Sequence, residues 1–298
     1  MSSIKLTPIE QPSGGVEHVD PLLLPELGKH YSRRADRLRQ LASEHPMADY
    51  LAFAARIADA QHQVLARRPL PESANARLDT RNGQAPLDPA TLSRDAYWRE
   101  LLAALIDELK PQMPAPAVAV LDGLRDSSAE ELENLASALL AGDFATVGSD
   151  RAVFLWAALS LYWSQLAASL KLRATAELGE QRQFCPVCAS APSASVILDN
   201  GLRYLHCGLC ESRWHMVRIK CSNCENTGTL EYWSLDERDA PIKAESCGDC
   251  ESYLKVLHLS RDRELDVFAD DLATLALDAE MEREGFGRSG LNPFLFPG

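Results

Sequence analysis

Eight cysteines, all between positions 185 and 250 of a 298-residue chain, stand as four Cys-x-x-Cys pairs: Cys185/Cys188, Cys207/Cys210, Cys221/Cys224 and Cys247/Cys250. No other feature restricts the fold as tightly. A two-residue gap lets both sulfurs of one turn face a common centre, and two such turns complete a tetrahedral shell of four thiolates. The pairs are separated by 18, ten and 22 residues, so each half of the run has the spacing of a metal ribbon. The halves also repeat, because Cys207-Gly208-Leu209-Cys210-Glu211-Ser212 recurs forty positions on as Cys247-Gly248-Asp249-Cys250-Glu251-Ser252. Sequential grouping follows: Cys185, Cys188, Cys207 and Cys210 on one ion, Cys221, Cys224, Cys247 and Cys250 on a second. Interleaved grouping stays open.

Disulfides fit less well. They need an oxidising compartment, whereas the chain opens MSSIKLTPIE without an apolar signal segment, and cysteine is too sparse for a disulfide scaffold. A thioredoxin-type redox pair stands singly at the start of a helix, not fourfold between strands.

The length and a 46% hydrophobic composition suit two ordinary domains. A net charge of −13 argues against a nucleic-acid footprint, and residues 181–260 alone hold eight Lys/Arg against ten Asp/Glu. One stretch, Ala152 to Leu170, is uncharged and approaches a bilayer span in length. Its polar residues Ser160, Ser164 and Gln165 lie near one helical face, while Trp156, Leu159, Trp163, Leu166 and Leu170 follow another. That pattern describes a central helix packed among helices.

Periodicity and breakers organise the rest. Helices are expected at Leu27–Ser43, from Met47 to Leu65, at Ser93–Lys110, Ala115–Leu124 and Ser128–Ala141, the last opening on a Ser128/Glu131 capping box, and then along the uncharged stretch to about Leu178. Pro69 to Leu92 reads as a loop. After Gly179-Glu180 short β-like runs appear at Ser193–Leu198, Leu202–His206, Arg213–Ile219, Thr229–Leu235, Ile242–Glu245 and Tyr253–Leu259, with Asn200-Gly201 as a hairpin turn. One helix is expected from Asp266 to Glu284, then from Gly285 a tail too apolar for a free end, expected to pack against the body or else to meet a partner. The fold class is therefore α+β: an N-terminal all-α domain, two tandem rubredoxin-like or zinc-ribbon units, and a C-terminal helix. The expected divisions are a flexible N-terminus 1–20, a helical domain 21–179, a ribbon domain 180–260 (first ribbon 185–220, second 221–260), and a C-terminal helix and tail 261–298.

Four thiolates suit iron and zinc alike, and the spacing does not choose between them. A complete shell leaves no position for a catalytic water, and neither a phosphate-binding glycine loop nor a nucleophile arrangement occurs, so no enzyme is expected. His206 and His215 flank the first site and read as strand residues, since four cysteines already suffice. His30, His45 and His62 lie in the helical half without a catalytic pattern.

The whole layout, ending in Gly285-Phe286-Gly287-Arg288 and Asn292-Pro293-Phe294, resembles the formate dehydrogenase accessory protein family, FdhE. The resemblance implies a cytoplasmic protein that is not itself a dehydrogenase and is required for formate dehydrogenase activity. It further implies contact with the immature catalytic subunit and two iron ions in rubredoxin-like sites, with zinc as the alternative, on the eight cysteines. Arg288, Asn292, Pro293 and Phe294 are the candidate partner contacts. Association with a membrane is expected to be peripheral at most, and a homodimer stays open. The alternatives are a rubredoxin-like electron carrier and, against the charge balance, a ribbon that binds nucleic acid. One departure is plain: Ala189, Glu211, Glu225 and Glu251 follow the second cysteine of each pair, where glycine is common. The three carboxylates are expected to add negative charge near the metals, which would lower a reduction potential.

Overall fold

The computed structural model describes residues 19–72, 85–170, 182–235 and 238–297. Most of the N-terminal stretch 1–20, the centre of the Pro69–Leu92 segment and the Gly179-Glu180 boundary lie outside those residues.

Among the described residues the first half holds seven α-helices: α1 (His30–Ala42), α2 (Ala48–Arg67), α3 (Tyr97–Leu109), α4 (Ala115–Asp126), α5 (Ala129–Leu140), the one-turn α6 (Phe144–Val147) and α7 (Ser149–Ser169). The α5 capping box is present, with the Ser128 hydroxyl accepting from Glu131 N–H and the Glu131 carboxylate from Ser128 N–H. Gly148 separates α6 from α7 at φ 83°, where a Cβ would strike the Asp150 carboxylate.

The centre of the domain is α7. By length and composition it is apolar enough to cross a membrane, yet 83% of that stretch is buried inside the protein. Both of its faces are covered, including the polar one. Ser164 bonds Tyr31 of α1 at 3.0 Å, the Ala157 carbonyl accepts from Gln61 of α2, and Trp163 donates to the carbonyl of Leu87. The helix ends at Ser169, short of the expected Leu178, because Leu170 turns to an extended ψ of 129°.

The second half is one sheet. Its strands are β1 (Leu22–Leu23), β2 (Pro192–Ile197), β3 (Arg203–Cys207), β4 (Arg213–His215), β5 (Leu230–Trp233), β6 (Ile242–Cys247), β7 (Ser252–His258) and β8 (Gly287–Arg288). The order is β1-β4-β3-β2-β7-β6-β5, with β8 beside the start of β7. The expected tandem repeat is visible in it: each ribbon runs knuckle, two antiparallel strands, knuckle, third strand. The ribbons fuse where β2 pairs in parallel with β7, Ser195 opposite Val256 and Ile197 opposite His258.

The single expected C-terminal helix is two, α8 (Val267–Leu272) and α9 (Leu275–Arg283). Lys255, buried on β7, lies against the break. Its ammonium takes the carbonyls of Asp271 and Thr274 at 2.8 and 3.0 Å, oxygens a continuous helix would have used internally. The tail then folds back, and at Gly290 a Cβ would run into the Ser193 carbonyl of β2.

One apolar core joins the helical domain, the first ribbon, α8 and the tail residues Phe294 and Phe296. A small second core of Ala244, Tyr253, Leu277 and Met281 seats α9 on the outer ribbon.

His258, at the ribbon junction, is 9% exposed, and burial among Arg261, Lys243 and Arg218 holds its pKa down to about 4. The unfolded chain takes up that proton near pH 6.5. Stability from this group is therefore full above the unfolded pKa and lost as pH falls from there towards 4. His258→Leu should make the loss of unfolding free energy between about pH 7.5 and about pH 5 smaller by about 2 kcal/mol, read by urea titration. An unchanged pH dependence would contradict this.

Two four-cysteine groups as candidate metal centres

Each knuckle uses the same backbone turn. The N–H of Cys185, Cys207 and Cys221 donates to the carbonyl of Ser190, Ser212 and Asn226, at 2.8, 3.0 and 2.9 Å. Returning bonds run from Ala189, Glu211 and Glu225 N–H to the first cysteine's carbonyl. In the fourth knuckle, Cys247 and Ser252 are ladder partners. Closing the turn sends one residue through the left-handed region: Ala189, Glu211, Glu225 and Glu251 have φ of 58°, 61°, 60° and 52°. Among the described residues no other non-glycine residue has positive φ. A side chain there costs about 1–2 kcal/mol, which glycine would avoid.

The turns bring the sulfurs together in sequential groups. Cys185 faces Cys210 at 3.5 Å and Cys188 faces Cys207 at 3.3 Å. In the second group Cys221 lies 3.8 Å from Cys250, and Cys224 3.7 Å from Cys247. Within each group all four sulfurs lie within 4.8 Å of one another. A tetrahedral ion with bonds of about 2.3 Å to sulfur has edges of about 3.8 Å, whereas a disulfide closes to about 2.0 Å. The donor sets therefore fit thiophilic metal ions. Hydroxyls of Ser190, Ser212 and Ser252 stand 3.4, 3.3 and 3.1 Å from the sulfurs of Cys188, Cys210 and Cys250, the first two accepting from the thiols and the third able to donate or accept.

Burial differs between the groups. The first four cysteines are at most 1% exposed, while Cys224 and Cys250 of the second are partly open. Burial, reinforced by neighbouring thiols, pushes Cys185 and Cys210 well above the usual thiol range. A divalent ion would reverse that by displacing the protons. At Cys250 burial is outweighed by hydrogen bonds from Ser252 and Asn223, and the pKa falls to about 7.

Glu211, next to Cys210, is 3% exposed and faces away from the sulfurs. Arg34 of α1 holds its two oxygens at 2.9 and 3.1 Å, and His30 and His206 reach the second at 3.0 and 2.9 Å. Arg34 also bonds Asp266, the N-cap of α8, and lies 4.5 Å over the Phe268 ring. Burial would raise the Glu211 pKa, but Arg34 and His30 outweigh it and hold it well below the carboxylate range. His206 is buried and lowered to about 4, so it is neutral: its Nδ1 accepts from Arg213 and its Nε2–H donates to Glu211. At Glu211 the expected negative charge is partly offset, by an Arg34 guanidinium that Asp266 also shares. Glu225 likewise accepts from Arg182 N–H and faces Lys220 at 3.9 Å.

His206 and His215 stay outside the sulfur groups. His215 pairs with Tyr204 across the sheet, its Nδ1 3.4 Å from Arg182. The four tail residues expected to meet a partner are turned inward. Arg288 bonds Asp271 and Asp278, Asn292 donates to the Phe268 carbonyl and to Asp271, and Pro293 and Phe294 are buried. Sequence reasoning missed His30, Arg34 and Asp266. The one available signal was a glutamate where the turn prefers glycine.

A helical domain carrying a fused double ribbon with two four-cysteine groups, each able to hold a metal ion, is the class of protein defined by this geometry. Residues 19–180, 184–218 and 219–295 match the N-terminal, central and C-terminal domains described for FdhE, and the chain belongs to the FdhE family. It is 58% identical to an FdhE homologue of Edwardsiella ictaluri, covering 99% of each chain. Identity to the FdhE protein of Escherichia coli K12 is 55%, over 94% of this chain and 92% of that one. The crystal structure of the FdhE protein from Pseudomonas aeruginosa superposes with a TM-score of 0.86 at 38% identity, covering 93% of this chain and 99% of that one.

Arg34→Met leaves Glu211 and Asp266 buried without their cation, and should cost about 3–5 kcal/mol in urea unfolding of metal-loaded protein. A loss under about 1 kcal/mol would refute the assignment. The same experiment separates two equally strained positions: Ala189→Gly should stabilise by about 1 kcal/mol, whereas Glu211→Gly should destabilise despite relieving the same φ.

Proposed function

We propose that the chain is an accessory factor required for formate dehydrogenase activity, and that it binds the immature catalytic subunit without being a dehydrogenase. Membership of the FdhE family over nearly the whole chain is the observation that carries this reading. Under it, Cys185, Cys188, Cys207 and Cys210 hold one ion and Cys221, Cys224, Cys247 and Cys250 another, iron or zinc. Such an ion would cross-link two knuckles and neutralise their thiolates. Four thiolates also fill the shell, leaving no vacant position for water activation, which favours a binding role over metal hydrolysis. The reading places the protein in the cytoplasm, where its subunit partner is made.

Deletion in the native host should abolish formate-dependent dye reduction while the catalytic polypeptide is still synthesised, and the wild-type gene should restore it. Undiminished activity in the deletion strain would end the reading. A tagged chain should also retain the catalytic polypeptide from such extracts; failure to do so would remove the partner while leaving the accessory role standing.

A further inference from the structure

The two centres differ in everything that surrounds their sulfurs. Cys185, Cys188, Cys207 and Cys210 are part of the main apolar core, together with the helices, whereas the second four cysteines belong to neither core. The first pair of knuckles is also bonded from outside the ribbon. Val187 accepts from Leu87 N–H at 2.8 Å, Gly208 accepts from the Trp156 indole of α7 at 3.1 Å, and Glu211 is gripped by Arg34. The bonds of the second pair of knuckles stay within the ribbon region and tail: Gly248 N–H to Thr229, Gly287 N–H to Glu251, Asn223 to Cys250 and Ser252. Among the described residues no bond ties them to the helical domain. Cys224 and Cys250 come from different knuckles and are both partly open, so one edge of that tetrahedron faces outward.

We propose that the centres are divided in role: the first is a permanent clamp of the fold, and the second is an exchangeable centre that releases and accepts a thiophilic metal ion across the Cys224–Cys250 edge. The division rests on the reading that both groups hold metal. Exchange at a full thiolate shell is associative: an incoming donor bonds to the ion as one thiolate leaves and takes a proton, with no change of oxidation state. An incoming donor can reach the second centre across its exposed edge in the folded protein. At the first it must wait until the helices, the ribbon and α8 separate, a sub-global opening.

The test uses full-length protein loaded with Zn2+ and mixed with excess 4-(2-pyridylazo)resorcinol, whose absorbance reports zinc release. Two equivalents should leave in separate phases, the slower by at least about a hundredfold because it requires sub-global opening. Cys250→Ser should remove the fast phase and keep the slow one. Brief iodoacetamide treatment of the wild-type protein under the chelator, read by peptide mass spectrometry, should label Cys224 and Cys250 ahead of all four cysteines of the first group. This labelling holds independently of whether a variant folds. Two equivalents leaving at one rate, or labelling that begins in the first group, would overturn the division alone. Fewer than two bound equivalents at the outset would overturn the two-metal reading beneath it.

Discussion

Arg34 is the contact on which the rest of the arrangement depends. It lies on the buried stripe of α1 with Tyr31, Ala35 and Leu38, a place where an apolar residue would ordinarily stand. Its guanidinium is 3% exposed and shared between Glu211 of the first ribbon and Asp266 at the start of α8. An isolated charge at that depth would be prohibitive, so the three parts must dock together for any one of them to be satisfied. This couples the second knuckle to a helix 177 positions away in sequence. The ribbon's first four-cysteine group and the helical core become one cooperative unit.

Two further buried ion networks repeat the device along the sheet. Arg203 of β3 reaches Ser195 in its own ribbon, the Lys220 carbonyl in the connection, and Glu245 of the second ribbon at 2.6 Å. Lys255 of β7 is shared by Asp271 and Asp278, and Arg288 closes the same cluster from the tail. Small ribbons bury too little apolar surface to be stable by themselves. Here directional, fully paired charges hold them in place, and a misdocked ribbon would strand a buried ion.

Local patterns were largely legible in the sequence. The helices from His30 to Ser169, the Ser128 capping box, the strand order within each ribbon and the cysteine groups all follow from short-range spacing, which one chain displays directly. What escaped depends on long-range partners. The parallel β2–β7 junction joins residues about sixty positions apart, and nothing local marks Ser195 as the neighbour of Val256. The break between α8 and α9 sits where Lys255 meets the carbonyls of Asp271 and Thr274 from across the fold, a contact that the periodicity of residues 266–284 does not display. The tail's place was legible only in outline. Its apolar and Asn-Pro-Phe character marked a contact surface, and the surface it contacts is the protein's own α8.

The left-handed position after each knuckle shows how a backbone cost is retained. Glycine would relieve it at all four turns, yet three of the four carry glutamate, and each is tied differently. Glu211 reaches into the helical domain, Glu225 accepts from the Arg182 backbone, and Glu251 offers its carbonyl to Gly287 of β8. At Glu211 and Glu225 the side chain leaving the turn is a handle that attaches the knuckle to what lies behind it, whereas the Glu251 tie is made by its backbone. At Glu211 the handle's charge is paired with Arg34, a cation shared with Asp266. The second centre, with weaker ties behind its knuckles, keeps the same inner geometry on a looser mount.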